Sequence, residues 1–224
     1  KINGQDLMSS RQHESELELA RLGCAHLVGS KAPRVLIGGM GLGYTLRQTL
    51  DMLDSHAKVV VGELLSAVAE WSREFFGELN GQPLEDERVN LKTGDVVSLI
   101  SRSSGKFDAI LLDIDNGPSA MTNSANSRLY SYEGLMACRY ALRNQGCLAV
   151  WSAEPSKKFE RLLVGGCGFH VRRFRVPTYK GSKSQSHFVW VASENKANLP
   201  PGGGEPRLSR RDESKESRRH PREG

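Results

Sequence analysis

Apolar residues in this chain recur at two spacings, and the two alternate along most of its length. Runs of consecutive apolar residues, such as Val35-Leu-Ile37, Val59-Val-Val61 and Ala109-Ile-Leu-Leu112, have the length and branched content of buried strands. Between them lie stretches with apolar residues three or four apart, the spacing of helices with one buried face. In order, the pattern predicts a helix over 15–27, stopped by Gly29-Ser-Lys-Ala-Pro33, then a strand over 34–37 and a helix over 43–53. A strand over 58–62 precedes a helix over 65–79, and a short strand over 89–91 precedes a brief helix over 96–100. A strand over 107–113, a helix over 131–142, a strand over 146–151 and a helix over 156–164 follow. Two final strands, 169–176 and 187–192, are joined through a Pro/Gly/Ser-rich connection too short for a crossover helix, so they pair as a hairpin.

Strands alternating with helices imply parallel βαβ units with both sheet faces covered, hence an α/β fold. The terminal hairpin makes the last strand antiparallel to the rest. The expected sheet is therefore seven-stranded, mostly parallel and closed by an antiparallel C-terminal hairpin, which resembles the Rossmann-like class I S-adenosylmethionine-dependent methyltransferase fold. Residues 1–30 read as an N-terminal segment and helix, 31–193 as the adenosyl-sulfonium-binding domain, and 194–224 as a disordered basic tail with little to bury.

Composition changes this picture little. At 224 residues and 38% hydrophobic, the chain holds one sizeable core. Its net charge is +5, of which +3 lies from residue 196 onward, so the body is only weakly basic and nucleic acid is a disfavoured partner. No apolar run approaches the ~18 to 20 residues of a membrane span. Cys24, Cys138, Cys147 and Cys167 show no C-x-x-C spacing, and the six histidines fall into no ligand spacing, so no metal is expected. Cysteines without a framework fit a reducing, cytoplasmic setting. The chain begins at Lys1 rather than Met, which leaves room for a natural N-terminus upstream.

In open α/β sheets, ligands bind beyond the carboxyl ends of the strands near the point where strand order reverses. After the first strand come Gly39, Gly41 and Gly43, whose conformational freedom lets the backbone turn sharply and approach a ligand at a helix N-terminus. The second strand ends in Glu63, twenty residues past Gly43, where a carboxylate can accept both ribose hydroxyls. The third ends before Asp95, able to accept from an adenine amino group or to cap the next helix. The third glycine of Gly-x-Gly-x-x-Gly is replaced by Tyr44, which favours an adenosyl ligand without a pyrophosphate. After the fourth strand stand Asp113 and Asp115, carboxylates that could hold a cationic amine or take its proton during attack on an electrophilic carbon. Gly117-Pro118 turns the chain so that 123–130 folds over the pocket, with Tyr130, Tyr132 and Tyr179 available as walls.

Over about 31–193 the residues resemble the spermidine synthase family of polyamine aminopropyltransferases. The likeness rests on Arg34-Val-Leu-Ile-Gly-Gly with Thr45-Leu-Arg47, on Glu63 and Gly94-Asp95, on Phe107-Asp-Ala-Ile-Leu-Leu-Asp113 with Gly117-Pro118, on Leu129-Tyr130, and on Val176-Pro-Thr-Tyr179. The resemblance implies that Glu63 binds the ribose, Asp95 the adenine, that Asp113 handles the attacking amine and that Tyr179 lines the acceptor site. The family's glycine loop usually carries an aspartate that meets the donor's aminopropyl ammonium; here it is Gly-Gly-Met-Gly-Leu-Gly, without an acid. The family's upstream Asp-Glu-x-x-Tyr-His-Glu is echoed by Ser10-Arg-Gln-His-Glu-Ser-Glu16, without the tyrosine.

The expected activity is transfer from S-adenosylmethionine or its decarboxylated form to a small-molecule acceptor, an amine foremost, without metal or membrane; a homodimer is compatible. The acid-free loop tilts the reading slightly toward methyl transfer, with aminopropyl transfer (spermidine synthase activity) as the alternative. A non-catalytic adenosyl-binding protein and a nucleic-acid methyltransferase guided by the tail are the remaining readings.

Overall fold

The computed structural model describes residues 13–114, 117–120, 125–182 and 186–206. Seven strands form one sheet: β1 (Arg34–Gly38), β2 (Lys58–Glu63), β3 (Val89–Thr93), β4 (Phe107–Leu112), β5 (Leu142–Ser152), β6 (His170–Pro177) and β7 (Ser186–Ser193). Their spatial order is β3-β2-β1-β4-β5-β7-β6, parallel from β3 to β5, with β7 antiparallel to both β5 and β6. The order reverses between β1 and β4, so the crevice for a ligand opens above Gly38 and Leu112.

The helices are α1 (Glu14–Gly23), α2 (Tyr44–Met52), α3 (Ser66–Trp71), α4 (Gly77–Asn80), α5 (Val96–Ser101), α6 (Tyr132–Ala141) and α7 (Lys157–Arg161). They cover both sheet faces, which explains why β1, β4 and β5 read as almost unbroken apolar runs. One face buries Val35, Ile37, Val59, Val61 and Leu111 beneath α1 and α2. The other buries Leu36, Ile110, Leu112 and Leu148 beneath α6 and α7. Leu19 and Ala20 of α1 and the capping Cys24 are fully buried in the first cluster, so the N-terminal helix shares its core with the strands that follow.

Three local differences from the sequence pattern have physical causes. The single helix expected over 65–79 is α3, a wider π-helical turn at Ser72–Phe76, and α4. Strand β5 starts at Leu142, four residues early, because a register shift against β4 between Phe107 and Ala109 accommodates extra residues and Gln145 takes a left-handed φ of 72°. Residues 194–206, expected to begin a disordered tail, instead pack on the sheet: Lys196–Asn198 form a 3₁₀ turn, Leu199 is buried, and Gly204 and Arg173 exchange backbone hydrogen bonds at 2.8 Å. The rest of that stretch, 207–224, lies outside the described residues.

All four cysteines are buried, free thiols; burial pushes Cys24, Cys138 and Cys147 up to about 12 and Cys167 to about 11, so they stay protonated. No helix among the described residues is long and apolar enough to cross a membrane.

Candidate functional site

The site is built around the glycine loop between β1 and α2. Gly39, Gly41 and Gly43 hold φ values of 93°, 50° and 83°, all left-handed. Gly39 has a second reason to lack a side chain: a Cβ there would collide with the carbonyl oxygen of Asp113. The loop is pressed against the end of β4 because pairing continues past the strands, with the Gly39 N–H donating to the Gly62 carbonyl and the Asp113 N–H to the Gly38 carbonyl, both at 2.8 Å. Between the glycines, Met40 and Leu42 turn their side chains inward and are 2% and 7% exposed. The loop therefore presents backbone, not side chain, to the crevice.

Glu63 reaches across to that backbone. Its Oε2 accepts from the Met40 N–H at 2.9 Å and its Oε1 from the Leu65 N–H at 2.9 Å. Each carboxylate oxygen retains lone-pair capacity, so the tethered group can still accept from a diol. The Glu63 carbonyl takes the Gly94 N–H at 2.8 Å, which draws the β3–α5 turn beside it. A Cβ built on Gly94 meets nothing within 4 Å, so the turn borders open space. Asp95 caps α5, accepting from the Val97 N–H at 2.9 Å and the Ser98 hydroxyl at 3.0 Å, and it is exposed. An adenosyl group thus fits the residues present: a diol acceptor, a side-chain-free loop and an unobstructed turn.

On the opposite side of the loop stands Asp113, whose Oδ2 accepts from the Thr45 hydroxyl at 2.6 Å. Thr45, in the first turn of α2, also lies 3.3 Å from the backbone carbonyl of Glu16, so three elements converge there. Burial, reinforced by the charge of Asp113, pushes the Glu16 carboxyl up to about 9. Its Oε2 is buried and meets no hydrogen-bond partner among the described residues. Next to it, His13 stacks on Tyr44 with ring centroids 4.1 Å apart.

Asp115 lies outside the described residues, as do 123 and 124 of the segment expected to fold over the pocket. Gly117 does turn the chain, with φ 58°, tightly against Trp151 and Ser152 at the end of β5. Tyr130 is 1% exposed and packs edge-on against Phe159 at 5.9 Å, which makes it a core residue rather than a wall. Tyr132 and Tyr179 are exposed, Tyr179 in the turn after β6.

Two features were not singled out in the sequence. Glu16 stood only in an imperfect motif echo, and nothing local marks it as buried beside Asp113. Ser15 accepts from the Trp151 indole N–H at 3.0 Å and lies 2.9 Å from Nδ1 of His187, tying α1 to β5 and β7. Those partners are 136 and 172 residues away, so no local pattern could reveal them. Among the described residues, no group of three or more His, Cys, Asp or Glu could hold a metal ion.

A seven-stranded, mostly parallel sheet closed by an antiparallel hairpin, with a glycine loop after its first strand, defines a Rossmann-like, class I methyltransferase-type fold. The structure superposes on spermidine synthase from Thermotoga maritima with a TM-score of 0.66 at 21% identity, covering 84% of this chain and 63% of that one. It also superposes on the O-methyltransferase TomG from Streptomyces achromogenes, solved with S-adenosylmethionine, with a TM-score of 0.59 at 15% identity over 85% of this chain and 83% of that one. Within that class the sequence is specific: residues 22–162 match the spermine/spermidine synthase domain, and the chain belongs to that family. A polyamine aminopropyltransferase of Saccharolobus solfataricus is 32% identical over 132 residues, 58% of this chain and 42% of that protein. The chain spans about half the length of the curated relatives it matches.

Proposed function

We propose that this chain is the adenosyl-sulfonium-binding domain of a transferase that moves an aminopropyl group from decarboxylated S-adenosylmethionine to a small amine. Membership of the spermine/spermidine synthase domain family carries the reading, and it favours aminopropyl over the methyl transfer that the acid-free loop suggested. The bound donor supplies an electrophilic carbon next to a cationic sulfur, whose C–S bond electrons leave with the neutral thioether. Glu63 holds the ribose hydroxyls and keeps the glycine loop in place through Met40. Asp95 and the Gly94 turn border the base. Asp113, oriented by Thr45, receives the proton that the acceptor nitrogen loses as its new C–N bond forms. Tyr179 and Asp115 belong to the acceptor side in this reading. Positioning and exclusion of water do most of the work, as expected for an in-line displacement at carbon.

Methyl transfer from S-adenosylmethionine is the second reading, favoured by one observation: the glycine loop carries no acid, and its two side chains, Met40 and Leu42, are apolar and buried. Calorimetric titration with S-adenosylmethionine, decarboxylated S-adenosylmethionine and methylthioadenosine separates the two. Preference for the decarboxylated donor, with methylthioadenosine released when a diamine is added, is the expected result. Preference for S-adenosylmethionine selects the second reading, and binding of none of the three removes both.

A further inference from the structure

The aminopropyl reading leaves an electrostatic question. A primary ammonium at the end of the transferred chain, or on the acceptor, needs a carboxylate in a desolvated crevice, because an unpaired buried cation is strongly disfavoured. The glycine loop cannot supply one, since its two side chains, Met40 and Leu42, are apolar and buried. Glu63 already holds two backbone N–H groups and, in this reading, takes the ribose diol with its remaining lone pairs.

We propose that Glu16 of α1, together with Asp113, forms the seat for an alkylammonium group, replacing the acid that the loop lacks. Three observations converge on it. Thr45 bonds the Asp113 carboxylate at 2.6 Å and reaches the Glu16 carbonyl at 3.3 Å, so α1 is held at the same end of α2 as the end of β4. Oε2 of Glu16 is buried without a hydrogen-bond partner among the described residues, an expensive state for a carboxyl unless a ligand completes it. The charge of Asp113 adds to burial in raising the Glu16 carboxyl, in keeping with the attachment of both residues to Thr45. The nearby Tyr44 hydroxyl is itself raised by burial and by Glu16, and the His13 ring stacks on it. Among the described residues, no Lys or Arg counters the rise of the Glu16 carboxyl. An ammonium would supply that missing positive charge, and Glu16 would ionise as it arrived.

This inference rests on the adenosyl-transferase reading, and methylthioadenosine separates the two because it carries the nucleoside without any ammonium. The test compares wild-type protein with Glu16→Gln by calorimetry, using methylthioadenosine, decarboxylated S-adenosylmethionine, and putrescine in the presence of methylthioadenosine. Methylthioadenosine should bind both proteins within about twofold, which also reports that the variant is folded. Affinity for a cationic ligand should fall about tenfold or more in the variant, as expected for loss of a charge-assisted contact. Loss confined to the decarboxylated donor places the donor's ammonium in the seat; loss confined to putrescine places the acceptor's.

A measurement on the wild type alone needs no substitution. Titrations near pH 7 in buffers of different ionisation enthalpy should show release of up to about one proton with the seated cation and none with methylthioadenosine. Equal cation affinities in the two proteins, absence of that proton release, or failure of both cationic ligands to bind a wild type that binds methylthioadenosine would each overturn the seat alone. A wild type that binds neither methylthioadenosine nor the donor overturns the adenosyl reading, and the seat with it.

Discussion

The Met40 N–H donates to Oε2 of Glu63 across 2.9 Å, joining the middle of the glycine loop to the end of the neighbouring strand. The proposed ribose acceptor is therefore also the tether that fixes the loop the nucleoside would rest on. Its second oxygen fastens Leu65, so a single carboxylate organises two turns.

Replacing Glu63 by Gln leaves one acceptor oxygen for two donors and turns an amide N–H₂ toward a backbone N–H. The expected cost is about 1.5–3 kcal/mol in urea unfolding, the range for a hydrogen bond to a charged group. Methylthioadenosine affinity should drop at least about tenfold. Wild-type affinity in a destabilised variant would show that Glu63 serves the loop and not the ligand.

Gly39→Ala should be far more damaging than Gly94→Ala, although both glycines have positive φ, 93° and 139°. Strain alone costs about 1–3 kcal/mol at either position. At Gly39 the new Cβ also strikes the Asp113 carbonyl, whereas at Gly94 it meets nothing within 4 Å. Equilibrium unfolding should separate the two by about 2 kcal/mol or more, or Gly39→Ala should not yield folded protein. Equal costs would mean that the contact with Asp113 is not a constraint.

For Asp113→Asn, the amide oxygen can still accept from Thr45, so the fold is kept while the proton acceptor is lost. Formation of methylthioadenosine from the decarboxylated donor and a diamine, followed chromatographically, should slow by about 10²–10⁴, the usual contribution of a general base. Methylthioadenosine binding should stay unchanged. A slowing of less than about tenfold would assign the proton to another group.

The Trp151 indole N–H donates to Ser15 Oγ, and the same hydroxyl pairs with Nδ1 of His187, so one side chain serves two partners. Ser15→Ala leaves both partners unsatisfied where α1 meets the hairpin. A loss of about 1–3 kcal/mol, seen as a lower urea midpoint with an unchanged slope, is expected. An unchanged midpoint would show that α1 is held by its apolar face alone.

Stability should depend on pH in two opposite ways. Glu16 is raised from 4.5 to about 9, so the folded state binds the extra proton and stability declines as pH rises across that window. Burial lowers His26 and His187 from 6.5, so the unfolded state binds protons more readily and stability declines as pH falls below about 6.5. The buried thiols, raised from 9.0, add to the alkaline loss only above about pH 9. Thermal unfolding between pH 5 and pH 8.5 should show a shallower alkaline decline in Glu16→Gln than in wild type. Superimposable curves would place the titration elsewhere.

Sequence alone determined the architecture: the alternation of apolar runs with three-to-four-residue spacing, and a final connection too short for a helix, led to the seven-stranded sheet and its antiparallel closure. Those are local properties, set by side-chain period and loop length, so they can be read without coordinates. The same locality located Gly39, Gly41, Gly43, Glu63, Asp95 and Asp113, because each follows directly on a strand and strand ends are where this fold exposes its crevice. Tertiary structure decided what these residues touch. Glu63 proved to be the tether of the glycine loop, Asp95 a helix cap, and Tyr130 a core residue. It also brought Glu16 to Asp113, 97 positions later in the sequence, and turned both loop side chains inward so that the loop offers no charge. Burial and long-range electrostatics depend on which distant segments share a volume, and only the folded chain sets that.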